Sequence, residues 1–85
     1  MPTLDYVRND SQSVSVTYTD MPAGTNAVFV NQVSGQQTPS QSGAMSKGDS
    51  GSADIPISGL ALGEYYLQAQ NSGQSIARTV MFYIN

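Results

Sequence analysis

The sequence predicts an all-β fold: two antiparallel sheets packed as a sandwich of about seven strands. Three observations predict it. Between Ser13 and Thr19, Val14, Val16 and Tyr18 share one face while Ser13, Ser15, Thr17 and Thr19 share the other, the alternation of a half-buried strand. Clusters of Gly, Pro, Asn, Asp and Ser interrupt such runs at a spacing of roughly ten residues. No segment places apolar residues at the 3.6-residue period of an amphipathic helix. A chain of 85 residues is expected to form one domain, 1–85, and buries only roughly 60–65% of its unfolded surface.

Thr3–Arg8 reads as a first, edge strand, with Leu4 and Tyr6 alternating with Asp5 and Val7. Asn9–Gln12 is a turn by composition. Ser13–Thr19 is the cleanest strand, rich in β-branched residues. Asp20–Thr25 is expected to be a loop, with Pro22 fixing its φ and Gly24 permitting reversal. Asn26–Val33 is a third strand with Val28 and Val30 on one face and Ala27, Phe29, Asn31 and Val33 on the other. Both faces are partly apolar, so it is either a central strand covered on both sides or one that leaves Phe29 exposed.

A turn at Ser34-Gly35 and a short edge strand near Gln36–Thr38 come next. Residues 39–52 offer little to bury beyond Ala44 and Met45, so a long surface excursion spanning Gln36–Gly51 is expected, with at most one short strand near Ala44–Ser46. Ser52–Ser58 is a strand with Ala53, Ile55 and Ile57 inward, and Pro56 facing the other way suggests an edge or a bulge. Glu64–Gln70 is a strand, and Asn71-Ser72-Gly73 suits a short hairpin. Gln74–Ile84 reads as one long strand in which Val80, Phe82 and Ile84 share a face with Ile76 and Arg78. A bulge near Arg78 would turn that side chain outward.

Composition removes several function classes. There are no cysteines and no histidines, so thiolate metal sites, disulfides and the commonest general base are missing. Charged residues make up 11% of the chain and the net charge is −3, the wrong sign for binding a phosphate backbone. The three basic residues, Arg8, Lys47 and Arg78, are far apart in sequence. The N-terminus has neither a basic region nor an apolar run, and nothing approaches the ~20 apolar residues of a membrane span. Read as a full gene product, such a chain folds in the cytoplasm, with neither nucleic acid nor membrane expected as a partner.

Between Ser58 and Ala69, Gly59 and Gly63 flank an apolar pair, Leu60 and Leu62, and Tyr65 opens a strand with Leu67 and Ala69 on its face. A leucine, a glycine and then a tyrosine at the start of a long strand resemble the corner before the sixth strand of immunoglobulin-like and fibronectin type III-like sandwiches. The resemblance implies that Leu60, Leu62, Gly63 and Tyr65 form a structural corner in which the Tyr65 hydroxyl bonds the backbone of the preceding loop. The chain departs from antibody domains by lacking both cysteines and the core tryptophan, so the cysteine-free variety is the better match. An eight-stranded jelly roll is the alternative.

No arrangement of residues announces catalysis. The six acidic residues sit mostly in turn contexts, where aspartate bonds the local backbone. Asp49-Ser-Gly-Ser-Ala-Asp54 has the oxygen-rich look of a calcium loop but lacks the alternating carboxylates and the closing glutamate. No histidine can activate the many serines, and no helix follows Gly43, Gly48 or Gly51 to complete a phosphate cradle. A non-enzymatic protein without catalytic, metal or cofactor-binding residues is therefore expected.

The aromatic residues divide. Tyr18, Tyr65 and Phe82 fall on apolar, core-facing positions. Phe29, Tyr66, Met81 and Tyr83 fall on the opposite faces of the third, sixth and last strands and are the candidate protein-interface residues, since aromatics and Met are enriched at interface cores. The remaining surface is uncharged and polar. A small immunoglobulin-like chain with that surface resembles the decoration and accessory proteins of tailed-bacteriophage heads and tails. The resemblance implies a virion structural protein, assembled in the host cytoplasm, that binds a major capsid or tail protein through an apolar sheet face or edge strand; such a face also admits a homo-oligomer. The alternatives are a carbohydrate- or cell-surface-binding module of a larger secreted protein and, third, a small phage-encoded inhibitor of a host protein.

Overall fold

A computed structural model of the chain describes residues 1–85. It has eight strands and one 3₁₀ turn: β1 (Thr3–Asn9), β2 (Ser13–Met21), β3 (Asn26–Asn31), β4 (Gln37–Pro39), the 3₁₀ turn Ala44–Lys47, β5 (Asp49–Pro56), β6 (Gly63–Asn71), β7 (Gln74–Arg78) and β8 (Phe82–Ile84). A three-stranded sheet runs β1-β2-β5, and a five-stranded sheet runs β4-β3-β6-β7 with β8 also paired to β6. All pairings are antiparallel. The two sheets pack as a sandwich around one cluster of 15 buried residues.

β2 supplies Val14, Val16 and Tyr18 to the core, as its alternation predicts. Met21, expected in a loop, is also buried. The register shifts between Tyr18 and Met21, and Asp20 takes a left-handed φ of 53° within the shift. Aspartate is among the few residues that tolerate this conformation, and the extra residue returns the chain to inward parity at Met21.

The long excursion expected over Gln36–Gly51 is shorter than its composition implies. Met45, 2% exposed, anchors the 3₁₀ turn in the core. β5 begins at Asp49 rather than Ser52 because β2 offers a backbone ladder, pairing Thr17 with Ser52 and Tyr18 with Gly51. Hydrogen bonding, not burial, carries those first residues. Gly48 is required where the chain passes β2: its φ is +86°, and a Cβ there would lie 2.9 Å from the Met21 carbonyl oxygen.

The final strand is broken where one continuous run was expected. Thr79 is buried, its N–H donates to the Leu67 carbonyl at 2.9 Å, and the Leu67 N–H donates to Thr79 Oγ1 at 3.0 Å. Tyr65 then pairs with Phe82, so β6 advances two residues while the last strand advances three. The extra residue changes parity. Ala77 and Thr79 face inward before the break, Phe82 and Ile84 after it, and Val80 is left 70% exposed. A second irregularity, between Ala69 and Gln70, lets Ile76 pack against the core while Arg78 stays on the outside opposite Gln68.

The corner at the start of β6 is built around one bond. Tyr65 is buried, and its hydroxyl donates to the Ala61 carbonyl at 2.8 Å. Gly59 and Gly63 take φ of 86° and 147°. Leu60 packs against the core, whereas Leu62 is 72% exposed and takes no part in it. The reason is the tight turn, which can aim only one of the two leucines inward. Tyr65→Phe removes the bond and is expected to lower the unfolding free energy by about 1 kcal/mol. Urea denaturation reads this directly, and an unchanged midpoint would remove the bond from the account.

Candidate interaction face

The outer faces of the two sheets differ in kind. On the three-stranded sheet, cross-strand pairs set Thr3 beside Thr19, Asp5 beside Thr17, and Ser15 beside Asp54, where the Ser15 hydroxyl donates to the carboxylate at 2.6 Å. Every aspartate of the chain lies on β1, β2, β5 or the β1–β2 turn. In that turn Asp10 Oδ1 accepts from the Gln12 and Ser13 N–H groups, which holds its carboxyl below the usual carboxylate range. This face is polar, exposed and weakly acidic.

The five-stranded sheet turns a different set of side chains outward. Val28 pairs with Gln68 and Pro39, and Val30 with Tyr66 and Gln37. Both valines are buried, at 6% and 5%, yet neither belongs to the core cluster. Their cover is a lid of long side chains from the flanking strands. Gln70 Nε2 donates to Gln68 Oε1 at 2.6 Å and to Gln37 Oε1 at 3.2 Å, tying β4 to β6 across β3.

Beside that lid, the Arg78 guanidinium lies over the Tyr66 ring, 5.3 Å from its centroid. Gln32, Tyr66, Arg78, Thr79, Val80 and Met81 line an open concavity of about 460 Å³. Outside this concavity, Tyr83 pairs with Glu64 across β8 and β6, and its hydroxyl donates to Glu64 Oε1 at 2.6 Å. That carboxylate raises the Tyr83 pKa above its ordinary value by accepting the phenolic proton's hydrogen bond and by its charge. Val80, Met81 and Tyr83 are 70%, 48% and 55% exposed, an apolar row next to the Tyr66–Arg78 pair.

Of the four interface candidates read from sequence, the structure therefore brings Tyr66, Met81 and Tyr83 together on this face. Phe29 is not among them. It is 1% exposed and meets Tyr65 and Phe82 edge-on, each with ring centroids 6.5 Å apart. Its cross-strand partner is Leu67, so it shares the core face of β6. The parity within β3 holds, but the face carrying Phe29 is the core face, not the outer one. Val28 and Val30 are the outward pair, and both are buried, so β3 is the central strand covered on both sides, one of the two expected readings. Sequence reasoning also missed Val80, Arg78, Glu64 and the glutamine lid; the outward parity of Tyr66 and Gln68 in β6 was the available signal.

A smaller cleft of about 230 Å³ opens between β4 and the corner, with Phe29, Pro39, Pro56 and Leu60 in its walls. It contains no charged group. No three acidic side chains converge anywhere as a metal site, and the Asp49–Asp54 segment is strand rather than a loop. Comparison of the chain with protein-family models, with curated proteins and with solved structures finds no match.

Proposed function

We propose that this protein is a non-enzymatic structural component of a phage virion, which docks on an assembled capsid or tail through the outer face of the five-stranded sheet. The observation that carries the docking is the contrast between the two outer faces. One is mostly Ser, Thr and Asp, with Val7 and Arg8 exposed at the irregularity of β1. The other holds Tyr66, Val80, Met81 and Tyr83 with a single cation, Arg78, and a single anion, Glu64. Aromatics, Met and Arg are the residues enriched at interface cores. Many copies on one particle let modest contacts add through multivalency.

The choice of a virion follows from the likeness set out above: a small, cysteine-free sandwich with an uncharged polar surface. The strand order adds to it. β1-β2-β5 lies opposite β3, β6 and β7, in keeping with immunoglobulin-like sandwiches, while β4 lies beside β3 rather than in the first sheet of the seven-strand scheme, and the Tyr65 bond falls at the corner that the likeness implies. A carbohydrate site is the weaker reading. Sugar stacking needs a bare aromatic face, and Arg78 occupies one face of Tyr66.

Met81→Asp and Tyr83→Ala test the docking. Each alters an exposed side chain, so the thermal midpoint should stay close to wild type. Binding to particles, read by co-sedimentation, should fall by about tenfold or more. Undiminished binding by both folded variants would remove this face from the proposal.

A further inference from the structure

We propose that the concavity lined by Arg78 receives a carboxylate of the docking partner, from an aspartate or glutamate that stands next to an apolar side chain. This rests on the docking reading above and adds what the partner must present. Arg78 is the uncompensated charge of the face. None of the chain's six acidic side chains lies within ion-pair distance of its guanidinium. The other charge of the face, Glu64, already accepts the Tyr83 hydroxyl at 2.6 Å. The guanidinium has the Tyr66 ring instead, 5.3 Å from its centroid.

The contact with Tyr66 places the cation and leaves its donors free. A guanidinium lying on an aromatic face still offers the N–H groups of its edge, in the fork that matches the two oxygens of one carboxylate. The concavity of about 460 Å³ opens where β7 gives way to β8, and Thr79, Val80 and Met81 of that break line it with Gln32. Gln32 brings an exposed side-chain amide, a second donor. Val80 and Met81, 70% and 48% exposed, are the apolar wall. An apolar neighbour of the incoming carboxylate, packed on that wall, excludes water from the ion pair. This decides the strength, because an exposed pair contributes little and a close pair within an interface contributes far more.

Charge selects the occupant. The net charge is −3 and Arg78 is the single cation of the face, so the rest of the molecule repels a phosphate backbone. A second copy of the chain does not fit either. Its one carboxylate on this face, Glu64, is held by Tyr83, and its Arg78 would meet its like. A partner segment with an acidic residue beside an apolar one satisfies both the cation and the wall. Such a residue acts as an anchor, and repetition over a particle supplies the remaining affinity.

Arg78→Lys supplies the test, because it keeps the positive charge and puts a primary amine at the site. With the full-length variant bound to purified particles, a water-soluble carbodiimide activates a carboxylate in contact with that amine. The amine attacks the activated carbonyl, an amide forms, and the carbodiimide leaves as a urea carrying the carboxylate oxygen. Mass spectrometry should find position 78 joined to an Asp or Glu of a coat or tail protein, next to an apolar residue. The wild type, whose only amines are Lys47 and the amino terminus, provides the background. Arg78→Gln should keep the wild-type Tm, bind particles about tenfold more weakly and show a shallower dependence on salt. The proposal is overturned if Arg78→Gln binds as the wild type does at every salt concentration, if cross-links stay confined to Lys47 and the amino terminus, or if position 78 joins another copy of this chain. In each of these cases, loss of binding by Met81→Asp or Tyr83→Ala leaves the docking reading standing. A wild type that does not sediment with particles removes both.

Discussion

Phe29→Ala is expected to cost about 3–5 kcal/mol of stability, the range for deleting a buried phenylalanine. The ring is 1% exposed and lies between Tyr65 of β6 and Phe82 of β8. Phe82 in turn stacks on Tyr6 of β1, with centroids 5.1 Å apart. The Tyr6 hydroxyl bonds Asn9 Oδ1, and Asn9 Nδ2 donates to the Tyr83 carbonyl at 2.7 Å. Phe29 thus supports the aromatic group that joins the two sheets along the β1–β8 side. Domains of this size hold about 5–15 kcal/mol in total, so the variant should lose roughly 12 °C or more in Tm by circular dichroism. A variant that keeps the wild-type Tm and loses only partner binding would return Phe29 to the surface.

Thr79→Val is expected to cost about 1–3 kcal/mol. Valine fills nearly the same volume, so packing survives. The hydroxyl does not, and it accepts from the buried Leu67 N–H at 3.0 Å while donating to the Val80 carbonyl at 2.8 Å. Leaving a buried N–H unpaired exacts its desolvation penalty. Thr79→Ser retains both bonds and gives up one methyl, so it should lose no more than about 0.8 kcal/mol. Chemical denaturation ranks the pair, and amide exchange at Leu67 should accelerate only in the valine variant. A valine variant at least as stable as the serine variant would show that the hydroxyl does not hold the break between β7 and β8.

The two variants probe two of the places where the sequence alone misleads. In β3, Ala27, Val28, Phe29 and Val30 are consecutive apolar residues, and a two-residue period cannot say which alternate pair faces the core. The choice is made by the neighbours: Leu67 and Ala69 stand opposite Phe29 and Ala27, while glutamines and Tyr66 cover the valines. Position 79 is similar. Periodicity reads Gln74–Ile84 as one strand, because a one-residue change of parity is visible only once β6 is in register beside it.

What could be read directly was local. The alternation in β2, the proline on edge strand β5 and the tyrosine of the corner each depend on residues within a few positions. The start of β5 at Asp49 did not, because its hydrogen-bond partners are supplied by β2. The interaction face was half visible, through Tyr66, Met81 and Tyr83. Arg78 and Val80 join it only through the irregularities of the last strand, and Glu64 through its bond to Tyr83.

The most direct test of the proposed function is to sediment a lysate of infected or producing cells and identify what travels with this chain. Recovery with large particles, at a fixed ratio to one coat or tail protein, is the result expected. Recovery only in the soluble fraction, with particles present and devoid of this chain, would contradict it.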